Sequence, residues 1–311
     1  MDEHEQQFEV SRQHKGLSLS DFLDAVAGPL DRKLVVSAAR SRQLLLNGEP
    51  AGAGATVMPG DLVEVDLPTE SMARTPPRAP SLLHQDDVLV VADKPSGLAF
   101  GESRHGGLSA IAALKEQVTG VRPVHRLDKQ TSGVVVAALG STNERALIED
   151  FRAGRAHVEY LAVVRSTLRE TEGLIDVPLG KHKRSDSKLA ADPDHGDACM
   201  TRWSVEEALR GFTVVRVVPQ GGGRSHQVRA HLAAAGMTAL CDRLYGEDDR
   251  MMLSQLKLDY RPKRGRPERP ILARPALHAE RFVRGDLVVT SPLPDELQVL
   301  LKQLRRLRPL T

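Results

Sequence analysis

Aromatic side chains are scarce in this chain: one Trp, three Tyr and six Phe make up 3% of its 311 residues. Any core must therefore be packed mainly from Leu, Val and Ala. Only two cysteines are present, Cys199 and Cys241. That number excludes a disulfide framework or a cysteine-rich metal cluster, and a reducing cytoplasm fits it best. No uninterrupted apolar run approaches the roughly 20 residues of a membrane-crossing helix. The opening MDEHEQQFEV is polar and acidic, without the basic start and apolar stretch of a signal peptide, so none is expected. Internal repeats and long low-complexity segments are also missing.

What is present is ordinary for a soluble globular protein, with 41% hydrophobic and 27% charged residues and a net charge of +2. The length allows one large core and a smaller companion. The distribution of charge says more than its sum. Basic residues crowd into KHKRSDSK (181–188), RPKRGRPERP (261–270) and RRLR (305–308), while acids gather in the first residues and at EDD (247–249). A single such cluster is usually a solvated face. Several together suit a polyanion, because phosphates neutralised by Lys and Arg release their counterions.

The chain is predicted to hold a small module over 1–70 (core about 16–67), a linker over 71–82 and a larger domain over 83–311. In the module, LSLSDFLDAV places serines as helix caps before apolar residues at helical spacing. VVSAARSRQLLLNGEP reads as a second helix stopped at Asn47-Gly48, and LVEVDL alternates like a strand after the Pro59-Gly60 turn. PTESMARTPPRAPS has the Pro, Ser and Thr content of a linker. Beyond it, DVLVVADKP, GVVVAAL, EYLAVV, FTVVRVV and DLVVTSPLP read as strands, and LSAIAALKEQV and STNERALIEDFRAG as helices. Strands joined both by turns and by helices predict an α+β fold around a mixed, mainly antiparallel sheet. The terminal ELQVLLKQLRRL is an amphipathic helix, read as a packing element.

One stretch stands apart. VHRLDKQTSG (124–133) sets a lone acid, Asp128, among Arg126, Lys129 and His125 just before the apolar run VVVAAL. By itself it could be a turn acid leading into a strand. The segment resembles the central motif of the RluA-type pseudouridine synthases, His-Arg-Leu-Asp, two variable residues, then Thr-Ser-Gly. Three further segments resemble family motifs in the same order. They are VLVVADKPSGLAF (88–100), AHVEYLAVV (156–164) with its tyrosine, and GRSHQVRAHLAAAG (223–236) followed by CDRLYG and RPALHA. The first module is similar to a small RNA-binding module shared with a small-subunit ribosomal protein, through ARSRQLLLNGEP and PGDLVEV. The chain departs from the pattern at Ser225 and Val228, mildly. Gly222, Val158 and Cys241 replace a common Thr, Lys and Gly.

The resemblance implies isomerisation of uridine within RNA, with no redox change or phosphoryl transfer and hence no cofactor. It needs a carboxylate at the anomeric end of the ribose, as nucleophile or base. Burial alone would neutralise such a group, and a forked, permanently charged guanidinium beside it opposes that. The resemblance gives Asp128 as the carboxylate, Arg224 as its partner and Tyr160 as the ring against the uracil. A phenol acts as base only with a lowered pKa or toward a strongly acidic proton. Arg126 is expected to fill the gap left when the uridine is flipped out. His125, Thr131, His226, Gln227 and Arg229 complete the expected substrate-binding set, with Leu127 pinning the loop. Lys94 is read at most as a phosphate contact. His226 and His231 are five apart, not the spacing of a zinc pair on one helical face, so no metal site is expected. Gly221, Gly222 and Gly223 lack the Gly-Lys-Ser/Thr that would follow in a phosphate loop.

Large-subunit ribosomal RNA is the expected substrate, transfer RNA the alternative, and a monomer the expected state. Two rival readings compete with this one. An aspartyl phosphotransferase would need a second acid where Gln130 stands. A non-catalytic nucleic-acid binder could use Arg-Gly-Arg-Pro in the 261–270 loop, but it would have no use for Asp128, Tyr160 and Arg224 together.

Overall fold

Serine caps, helix-period leucines and one Asn-Gly turn build the first part of the chain. The computed structural model describes residues 5–26, 32–66, 78–101, 108–182, 185–221, 226–257, 259–261 and 268–310. The chain divides into two units, Met1–Arg78 and Ala79–Gly101 with Leu108–Thr311. In the first, β1 (Glu5–Glu9), α1 (Leu19–Val26), α2 (Arg32–Arg40), β2 (Leu44–Leu46), β3 (Glu49–Pro50) and β4 (Leu62–Asp66) form a sheet of order β1-β4-β2-β3 under two helices. The Ser18 hydroxyl accepts from the Asp21 amide at 3.1 Å, a side-chain cap on α1. Phe22, Leu23, Val35, Leu44, Val57 and Val63 close the core.

The second helix ends earlier than the sequence predicts. It stops at Arg40, and Leu44–Leu46 is a strand. Asn47 and Gly48 are its hairpin turn, at φ 56° and 83°. Consecutive positive φ values are what a tight hairpin needs, so Asn-Gly here joins two strands instead of ending a helix. The linker expected over 71–82 lies mostly outside the described residues, and β5 (Ser81–Gln85) already belongs to the next sheet.

The second unit adds β6 (Leu89–Lys94), α3 (Ala110–Gln117), β7 (Val121–Pro123), β8 (Ser132–Leu139), α4 (Ser141–Arg152) and β9 (Ala156–Val164). Then come β10 (Glu172–Asp176), β11 (Leu179–His182), β12 (Ser185–Ala191), β13 (Met200–Leu209) and β14 (Phe212–Pro219). The unit closes with α5 (Gln227–Ala234), α6 (Leu253–Leu256), β15 (Leu277–Arg284), β16 (Leu287–Thr290) and α7 (Asp295–Leu307). The main sheet runs β10-β13-β14-β9-β15-β8-β6-β5, with β16 on β15 and β7 on β8, while β11 and β12 pair as a separate hairpin. All of these pairings are antiparallel except β8 with β15. The fold is therefore α+β on a mixed, mainly antiparallel sheet.

That single parallel join sits at the centre of the sheet. Gly133 pairs with Ala279 at φ 115°, and a side chain there would overlap the Ala279 backbone. Glycine lets β15 approach the start of β8. β8 is buried over Ser132–Ala138, which explains its unbroken apolar run. α7 buries Leu297, Leu300, Leu301 and Leu304 against Val163, Phe212 and Leu272, as its spacing predicts. No helix of the described residues is long and apolar enough to cross a membrane.

Candidate active site

Asp128 lies in the irregular segment between β7 and β8, directly before the central strand. Its loop is tied by backbone and side chain alike. The Thr131 amide donates to the Asp128 carbonyl at 3.1 Å, and the Gly97 amide donates to the Lys129 carbonyl at 2.8 Å. Leu127 is buried and anchors the loop from below.

Two buried cations grip the loop backbone. The Lys94 ammonium donates to the carbonyls of Pro95 (2.9 Å), Leu98 (2.8 Å) and Lys129 (3.2 Å). Burial, with Arg274 nearby, pushes its pKa down to about 7, against the pull of Asp128 and Asp93. A lysine committed to three carbonyls is no phosphate contact, and that expectation is corrected. The Arg274 guanidinium donates to the carbonyls of Gln130 (3.3 Å) and Leu277 (3.0 Å), to the Ser132 hydroxyl (3.1 Å) and to Glu296 (2.8 Å) at the start of α7.

The carboxylate itself faces a third cation. Arg229 Nη1 donates to Asp128 Oδ2 at 3.0 Å. Its Nε and Nη2 make a fork to Asp242 at 2.7 and 2.6 Å. Asp242 is fully buried and also accepts from the amides of Leu244 (3.0 Å) and Tyr245 (3.1 Å). Burial works against the Arg229 charge, yet the bonds to Asp242 and Asp128 raise its pKa. His226, one turn earlier, puts Nε2 3.4 Å from Asp128 Oδ1. Burial lowers the pKa of this imidazole while Asp128 opposes the shift. His226 caps α5 at φ 60°, so it and Arg229 stand three residues apart, on one face.

Tyr160 comes from β9, where it pairs with Ala279 and Val217. Its hydroxyl is 3.2 Å from His125 Nε2. Burial, and then the charge of Asp128, pushes the phenol pKa up. The lowered pKa that a tyrosine base would need is therefore not found. His125 stacks on Phe151 at 5.9 Å, and burial pushes its pKa down to about 4. Its Nδ1 has no hydrogen-bond partner.

Two adjoining hollows collect these groups. The smaller, about 30 Å³, is lined by Asp128, Thr131, Tyr160, His226 and Arg229. The larger, about 270 Å³, is lined by His125, Phe151, Tyr160, Arg202 and Gln220. Exposed Arg126 stands at both. Gln227 lines both as well, but its amide donates to the Met200 carbonyl (2.9 Å) and the Thr201 hydroxyl (3.3 Å), so it ties α5 to β13. Val158 takes part in the wall of the larger hollow.

Of the expected residues, Asp128, Tyr160, Arg126, His125, Thr131, His226, Gln227 and Arg229 meet here. Arg224 lies outside the described residues, and among the described residues Arg229 is the guanidinium on Asp128. The helical spacing of His226 and Arg229 in HQVR was the sequence signal for that role. Asp242, Tyr245 and Arg274 have no role in the sequence reading, although CDRLYG and RPALHA contain them. Cys241, where a glycine is common, has φ 62°, the conformation that glycine tolerates best. His231 bonds to the Thr201 hydroxyl (2.7 Å) and the Val177 carbonyl (2.9 Å), a structural role. No cluster of three or more metal-ligating side chains occurs among the described residues.

Residues 88–234 match the RNA pseudouridylate synthase family. The ribosomal large subunit pseudouridine synthase D of Xanthomonas campestris is 33% identical over 281 residues, 86% of this chain and 82% of that protein. The dual-specificity RNA pseudouridine synthase RluA of Escherichia coli is 35% identical over 188 residues, covering 59% of this chain and 86% of its own. Human RNA pseudouridylate synthase domain containing 4 shares the fold, with a TM-score of 0.56 at 24% identity over 72% of this chain and 93% of that one. Relatedness along most of the chain and four motifs converging on Asp128 lead to one conclusion: this chain belongs to the RluA-type family of RNA pseudouridine synthases.

Proposed function

We propose that the protein converts uridine to pseudouridine in large-subunit ribosomal RNA, with Asp128 acting at the anomeric end of the ribose. The observation that carries this reading is a carboxylate held by Arg229 at 3.0 Å and His226 at 3.4 Å in a hollow that it shares with Tyr160. The bond between N1 and C1′ breaks, the uracil turns, and C5 joins C1′. N1 gains a proton and C5 loses one, so the change is redox-neutral. Asp128 serves as nucleophile at C1′ or as base on the ribose. Arg229 counters its charge in either role.

Tyr160 lies against the uracil. After the new bond forms, the C5 proton sits beside a carbonyl and is acidic, and Tyr160 accepts it as its own hydroxyl proton passes to His125 Nε2, 3.2 Å away. Arg126, exposed at the rim, fills the space that the flipped nucleotide vacates. The relative in Xanthomonas campestris, named for the large ribosomal subunit, supports the choice of RNA. The module over 1–70 is read as an added RNA-binding element, and the protein as a monomer working in the cytoplasm.

Tritium release from ribosomal and transfer RNA labelled at uridine C5 tests this. Wild type should release tritium from ribosomal RNA, and Asp128→Asn should lose at least about a thousandfold in rate, since it keeps shape and removes the reacting charge. Release by both proteins would remove Asp128 from the mechanism. Release from transfer RNA alone would replace the substrate.

A further inference from the structure

Tyr245 sits in the turn after Asp242, and no step of the isomerisation uses it. Its surroundings are nevertheless unusual. The guanidinium carbon of Arg229 lies 5.2 Å from its ring centroid and Lys188 Nζ lies 5.0 Å from it. Its hydroxyl accepts from the Leu189 amide at 2.9 Å and stands 3.5 Å from His226 Nδ1. One side chain thus touches both groups that hold Asp128, Arg229 and His226, and also two consecutive residues of β12.

β12 belongs to the β11–β12 hairpin, whose described residues include Lys181, His182 and Lys188 of the basic run KHKRSDSK. Its base is fixed: Leu179 and Asp197 exchange both backbone hydrogen bonds at 3.1 and 3.0 Å, and the Asp192 amide donates to the Pro178 carbonyl at 2.9 Å. Above that base, Leu189 bonds to the Tyr245 hydroxyl. The hairpin therefore meets the active site through an aromatic ring shared by two cations.

We propose that Tyr245 is a positioning residue that couples docking of RNA phosphates on the β11–β12 hairpin to the Arg229–Asp128 pair. Two cations compete for one ring. A phosphate that engages Lys188 takes up its charge and leaves the ring to Arg229, which then holds Asp128 more firmly. Carboxylate alignment becomes complete when RNA is on the hairpin. The coupling rests on the reading of Asp128 and Arg229 given above and assigns that site a substrate-sensing contact.

Hydrogen exchange on the full chain, with and without an unmodified large-subunit ribosomal RNA transcript, tests the coupling. In wild type, RNA should slow exchange both in 179–191 and in 124–133. Tyr245→Leu should confine the slowing to the hairpin and lower kcat at least tenfold with KM changed less than threefold. Tyr245→Phe keeps the ring and should restore most of kcat. The proposal falls if the Asp128 loop is still slowed by RNA in Tyr245→Leu, or if RNA leaves the wild-type hairpin unaffected. Exchange requires binding and not turnover, so it decides the matter on its own. Absence of tritium release from the same RNA by wild type would count against the substrate reading alone.

Discussion

Arg229 shows how much one buried side chain can carry, because it answers two carboxylates at once. Asp242 is fully buried and takes the forked pair, while Asp128 takes the remaining nitrogen. Arg229→Met would leave the buried Asp242 without its ionic partner, with only the Leu244 and Tyr245 amides remaining, so stability should fall by about 3–5 kcal/mol. Urea unfolding against wild type measures this, and a loss under 1 kcal/mol would refute it. His125 gives a pH signature. Its folded pKa of about 4 lies below the ordinary 6.5, so between those values the unfolded chain binds the extra proton. Stability therefore rises with pH through that window and is lost as pH falls from 6.5 to 4. The loss should be on the order of 2–3 kcal/mol. His125→Asn should remove this part of the pH dependence, and superimposable profiles for the two proteins would count against it.

At the scale of elements, the Asp128 loop is a junction. β6 sends Lys94 to it, α5 sends Arg229, and the entry to β15 sends Arg274, itself bonded to α7. Gly133 sets the spacing of this junction, since it brings β8 onto β15. Gly133→Ala meets the Ala279 backbone in a positive-φ conformation, and should cost more than about 2 kcal/mol. Thermal unfolding would read this, and an unchanged midpoint would show that the sheet can relax. The elements also show where the sequence is ambiguous. The apolar runs of β6, β8, β9 and β14 were legible as strands because they are long and rich in Val. The segment Leu44–Leu46 was not, because three leucines after a helix fit its period as well as a strand. Only pairing with β4 decides between them. β15, LHAERFVR, went unread because charged residues interrupt it.

For the whole molecule, basic residues alike in chemistry differ in availability. Arg274 is buried and bonded within the protein, Arg305 is forked onto Glu207 at 2.7–3.0 Å, and Arg308 donates to the Gln255 carbonyl at 3.3 Å. Lys181 and Arg202 are exposed, and Arg202 lines the larger hollow. Replacing Lys181, Lys188 and Arg202 together by Gln should weaken RNA binding. It should also flatten the plot of log affinity against log salt by about 2, at roughly 0.7 per lost contact to single-stranded RNA. An unchanged slope, measured by filter binding across salt concentrations, would move the RNA to another face.

The sequence alone determined the candidate residues and the elements that bear them: the acid in VHRLDKQTSG, the tyrosine of EYLAVV, the polar residues of HQVR and the alternation of strands and helices. These are local, since motif spacing and hydrophobic period act over a few residues. Tertiary structure alone decided the partners. That Arg229 reaches Asp128, that Lys94 turns inward to three carbonyls, and that Tyr245 touches both Arg229 and the hairpin depend on chain segments up to 101 residues apart. A buried charge must find its counterpart wherever folding places it, and no local pattern encodes that meeting.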